Sequence, residues 1–77
     1  MSDPVHHPAH YTAGQFEAID VLEDAVQHAP GPVLGGLQWQ LLKYSLRLWH
    51  KDDPLQDARK AQWYLARLIE KLERQQR

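Results

Sequence analysis

The chain has no cysteine, so neither a disulfide nor a thiolate zinc centre can support its 77 residues. A chain this short buries roughly 60% of the surface it exposes when unfolded. Stability must then come from well-packed helices or from association. No stretch approaches the ~18 consecutive apolar residues of a membrane span. "MSDPVHHPAHYT" has neither the basic start nor the apolar run of a secretion signal, so the cytosol is the expected setting. Alternating β-branched runs are missing as well, which excludes strands from the reading. The phosphate-loop pattern G-x-x-x-x-G-K-[ST] is also absent, because "GPVLGG" lacks both the lysine and the hydroxyl residue.

Charge is unevenly spread. Residues 1–42 contain no Lys or Arg and carry Asp3, Glu17, Asp20, Glu23 and Asp24. All nine Lys and Arg lie in residues 43–77, against five acids. Two halves of opposite sign can pair within a chain or between copies. The formal net charge of −1 argues against a nucleic-acid polymer as partner, because that needs a basic surface.

What is present is helical. The expected fold is all-α: an arm over 1–12, a first helix over 13–28, and a hairpin of helices over 33–51 and 54–75. Thr12 and Gln15 form a candidate capping box, followed by Phe16, Ile19, Leu22 and Val26 at helical spacing. "HAPGPVLGG" ends that helix. In the second helix Leu34, Leu37, Leu41, Tyr44 and Leu48 make one apolar face, and Trp39, Leu42, Leu46 and Trp49 a second. A helix apolar on two sides is buried on two sides, which predicts a homo-oligomer through Trp39 and Trp49. Asp53, Pro54 and Gln56 are the start signals of the third helix. Its expected core stripe is Ala58, Ala61, Leu65, Leu68 and Leu72, with Asp57, Lys60, Tyr64, Arg67 and Lys71 on the other side.

A polar stripe of Gln40, Lys43, Arg47 and His50 remains on the second helix. Counting outward from the hairpin turn sets Arg47 level with Asp57, Lys43 with Lys60, and Gln40 near Tyr64. Two readings of this stripe compete. One is a solvated face with an Arg47–Asp57 ion pair. The other is a ligand site, in which basic groups hold a phosphate and tyrosines offer a flat face to a base.

"HPAHY" with Gly14, Glu17 and Asp20, then "LLKYSLRLWHK", then "DARKAQWYL", resembles a small bacteriophage family, domain of unknown function 3310. The resemblance runs from about His7 to Leu72. Some members of that family are described as nucleoside-monophosphate kinases. Its motif positions here are His7, Pro8, His10, Tyr11, Lys43, Tyr44, Arg47, Asp57, Lys60 and Tyr64. The chain departs from it at Gln40, where relatives carry Asn. The resemblance implies an oligomeric nucleotide-binding protein, kinase-like but without a phosphate loop, in the cytoplasm of an infected bacterium. Phosphate contacts fall to His7, His10, Lys43, Arg47 and Lys60, and base stacking or orientation to Tyr11, Gln40, Tyr44 and Tyr64. The alternatives are a non-catalytic sponge for nucleotide signals of antiviral defence and a small inhibitor of a host protein.

No resident cofactor is expected beyond the nucleotide, and magnesium only if the chain is catalytic. His7 and His10 sit in a proline-containing stretch with no H-E-x-x-H or cysteine pattern, so no metal is expected there. Docking of the arm, with His10 on a carboxylate, and donation of His7 or His10 to a phosphate both remain open. The acids Glu17, Asp20, Glu23 and Asp24, with Glu70 and Glu73, read as a solvated face rather than as magnesium ligands.

Overall fold

The computed structural model describes residues 16–76. They form three helices, α1 (Ala18–Val26), α2 (Pro32–Leu46) and α3 (Pro54–Gln75). No strand occurs among the described residues. None of these helices is long and apolar enough to cross a membrane. The helix α2 packs chiefly on α3 and more lightly on α1.

Glu17 is extended (φ −71°, ψ 136°), so α1 begins at Ala18 and not near residue 13. The expected capping pair Thr12 and Gln15 lies outside the described residues. Leu22 is the buried anchor of α1, whereas Phe16 and Ile19 of the same expected stripe are exposed. Pro30 stops the helix, because a residue ahead of proline is pushed out of the α region. Gln27 closes the last turn by donating its Nε2 to Asp24 Oδ1 at 2.8 Å.

The proline that ends one helix is followed by another that starts the next. Pro32 occupies the first turn of α2, where its missing N–H is no loss. The two glycines at 35 and 36 then lie inside α2, so "GPVLGG" is only partly a breaker. Gly35 is buried where α2 meets the turn after α1, and an added Cβ would stand 3.1 Å from the Ala29 Cβ. Gly36 faces open space.

The end of α2 departs from the 33–51 expectation. Arg47 leaves helical geometry (φ −94°, ψ 7°), and residues 47–50 form tighter turns through Leu48 N–H to Ser45 O and His50 N–H to Arg47 O. Nothing in the local sequence stops the helix here; the chain must reverse to bring α3 alongside. Trp49 therefore lies beyond α2 and is 79% exposed, so Trp39 and Trp49 do not share a helix face. His50, expected on the polar stripe, leaves it for the same reason.

Helix α3 starts at Pro54, with Asp53 Oδ1 accepting from Gln56 N–H at 3.0 Å. Its inward stripe is Asp57, Ala61, Tyr64, Leu68 and Lys71, which are all buried or half-buried. Leu65 and Leu72, expected in the core, are 45% and 40% exposed, and Ala58 is exposed as well. The helix is thus rotated by about one position from the all-apolar choice. The partners described below hold it there.

Gly36→Ala should raise stability by about 0.5–1 kcal/mol, the usual helix-interior difference between these residues. Gly35→Ala should gain less or lose stability, because the new methyl crowds Ala29. Urea denaturation of the two variants side by side checks the ordering.

Candidate functional site

Arg47, at the end of α2, meets Asp57, in the first turn of α3. Its Nε donates to Asp57 Oδ2 and its Nη2 to Asp57 Oδ1, both at 3.3 Å. The side chains are 16% and 5% exposed, respectively. Two prongs on two oxygens fix the relative height of the helices as well as their proximity. Asp57 also lies near the positive end of the α3 dipole, which favours its negative charge.

One turn further from the hairpin, the Tyr44 and Tyr64 rings stack with centroids 5.9 Å apart and planes at 12°. Arg47 pairing with 57 and Tyr44 pairing with 64 run in opposite directions along the chain, so α2 and α3 are antiparallel. Three cations surround Tyr44: the Arg47 Cζ at 4.7 Å, the Lys43 Nζ at 5.0 Å and the Lys60 Nζ at 5.4 Å from the ring centroid. Each such contact contributes ~0.5–1 kcal/mol at an exposed site. Gln40 lies one turn before Tyr44 and holds its Oε1 out of solvent with no hydrogen-bond donor.

The structure therefore brings Lys43, Tyr44, Arg47, Lys60 and Tyr64 together on the hairpin. Gln40, one turn earlier on α2, contributes the unpartnered oxygen. His7, His10 and Tyr11 lie outside the described residues. Arg47 is placed as the ion-pair reading requires, with both of its described prongs on the carboxylate. Among the described residues no group of three or more His, Asp or Glu is arranged to hold a metal ion. Glu70, one of the acids weighed as a magnesium ligand, instead accepts from Arg67 Nη1 at 3.0 Å and Arg74 Nη2 at 2.6 Å.

Trp63 is the member that the sequence reading passed over. It meets Tyr64 edge-on (5.2 Å, 83°) and is 62% exposed. It also borders an open depression of about 420 Å³ together with Asp53, Leu55, Gln56, Arg59 and Lys60. Lys60 is the residue common to this depression and the tyrosine stack. The available signal was adjacency: Trp63 precedes Tyr64 in "DARKAQWYL", one helical position from the polar stripe.

Fold and cluster define a small all-helical protein built on a hairpin with a basic, aromatic centre. Residues 5–66 match the model of a family described as a protein of unknown function, DUF3310, and the chain belongs to that family. No curated protein and no solved structure matches it.

Arg47→Ala would strand a buried carboxylate. Removing one partner of a buried pair costs about 3–5 kcal/mol, and the 3.3 Å separations here point to the lower figure. That is a large share of the ~4–12 kcal/mol that a chain of this size holds. Arg47→Ala and Asp57→Ala should each lower the urea midpoint strongly. The double replacement Arg47→Met with Asp57→Leu should recover most of the loss.

Proposed function

We propose that the chain binds a phosphorylated nucleotide at the Tyr44 cluster, the ligand class that the family resemblance implies. The observation that carries this reading is an imbalance of charge among the described residues. Lys43, Arg47 and Lys60 converge on one ring, and Asp57 answers only Arg47. Neither lysine has a carboxylate partner among the described residues. Like charges brought together repel, and an anion between Lys43 and Lys60 removes that repulsion. The stacked tyrosines and Trp63 supply flat faces for a base. The unpartnered Gln40 oxygen suits an N–H from the ligand, because a polar atom out of solvent is stabilised by a partner. Arg47 serves this site indirectly, by holding Lys43 and Tyr44 at the height of Lys60 and Tyr64.

In this reading the protein works in the cytoplasm of a phage-infected bacterium, either as a monophosphate kinase or as a nucleotide sponge. The sponge has one observation in its favour. Asp57, the carboxylate built into the cluster, is buried with both oxygens on Arg47, so it is poorly placed to take a proton from an attacking hydroxyl.

A thermal-shift screen against mononucleotides, triphosphates and cyclic oligonucleotides, with product analysis of each hit, tests both forms. Charge-assisted hydrogen bonds contribute about 1.5–3 kcal/mol each, so Lys43→Ala and Lys60→Ala should each weaken binding by roughly 10- to 150-fold. Helical circular dichroism should be unchanged in both variants. Conversion of a monophosphate with added triphosphate supports the kinase, and a ligand recovered intact supports the sponge. If no nucleotide raises the melting temperature of the wild type, the proposal fails and a host-protein inhibitor takes its place.

A further inference from the structure

Helix α3 carries a second stripe that no other described element covers. Leu55, Ala58, Gln62, Leu65, Ile69 and Leu72 follow one another at steps of 3, 4, 3, 4 and 3. That is the repeat of a coiled-coil seam. Its large apolar members are exposed: Leu55 61%, Leu65 45%, Ile69 48% and Leu72 40%. The inward stripe of the same helix, from Asp57 to Lys71, already faces α2. Meanwhile Leu22 and Leu34 are the only buried large apolar side chains among the described residues. A chain with so small a core and so regular an uncovered seam gains its missing burial by association.

We infer that the partner is a second copy of this chain, docked antiparallel along α3 about a two-fold axis near Ala66. The argument is charge complementarity. Arg59 and Glu73 border the seam on one side, each seven residues from Ala66. Neither has a charged partner among the described residues. A two-fold axis at Ala66 lays each Arg59 beside Glu73 of the other copy, so a single interaction is made twice. Parallel pairing would leave both charges without that partner. The small side chain of Ala66 permits close approach at the axis. Residues 1–15 are a poorer occupant, since Met1, Val5 and Tyr11 are their only large apolar side chains. The seam does not include Lys43, Tyr44 or Tyr64, although Leu55 and Arg59 also line the depression beside Trp63.

Light scattering of the full chain, at protein concentrations from micromolar upward, provides the test. The wild type should have twice the 9.0 kDa mass of one chain. Ile69→Glu should give a monomer that retains its helical circular dichroism, while Trp49→Glu should leave the mass unchanged. Arg59→Glu should raise the dimer dissociation constant at least tenfold, and Arg59→Glu with Glu73→Arg should restore it. The chain has no cysteine, so Ala66→Cys adds a single thiol that should form a disulfide-linked dimer under mild oxidation. A monomeric wild type, a dimer indifferent to Ile69→Glu, or a dimer dissociated by Trp49→Glu would overturn the inference. Failure of the double charge reversal to restore association would overturn the antiparallel arrangement.

Discussion

The ion pair between Arg47 and Asp57 sets the position of nearly everything else in this small protein. It joins the end of one helix to the first turn of the next, at the point where an unguided chain could slide or rotate. A buried pair adds little net stability against an apolar equivalent, because desolvation offsets much of the attraction. Its value here is geometric. Bidentate contact permits one height and one rotation, and apolar side chains alone would permit several.

The rest of the hairpin follows from that constraint. With Asp57 turned inward, positions 61, 64, 68 and 71 face α2, which places Tyr64 on Tyr44 and brings Lys60 toward the same ring. The same rotation turns Leu65, Ile69 and Leu72 outward. Site and seam are therefore two consequences of one choice. A helix turned by one position would have a better apolar core and no basic, aromatic cluster. The fold gives up private burial, and the exposed seam is where that burial can be regained.

The cluster combines two features that each cost free energy. Cations crowd one ring, and an amide oxygen is held out of solvent without a donor. The ring faces offset part of the repulsion, and among the described residues neither lysine has a carboxylate partner. A folded protein tolerates such an arrangement when the scaffold beneath it is firm, and the two prongs of Arg47 supply that firmness.

Much of this hairpin was legible in the sequence because its signals are local. Asp53, Pro54 and Gln56 mark a helix start by capping chemistry that depends on neighbours alone. Once a short reversing connection is assumed, counting outward from it pairs residue 47 with 57 and brings 43, 44, 60 and 64 to one place. The early end of α2 could not be read, because residues 47–50 are compatible with helix and turn only to complete the reversal. The rotation of α3 could not be read either. Periodicity favours Ala58, Ala61, Leu65, Leu68 and Leu72 as the inner face, and the observed inward stripe shares only Ala61 and Leu68 with it. The rotation came from an ion pair and a stacked pair of tyrosines across the hairpin, contacts that exist only once both helices are in place. By itself the sequence determined that this chain is helical and where its polar stripes would meet. Tertiary structure alone decided which face of α3 lies inside, because a buried charge must have its partner whereas a leucine can do without one.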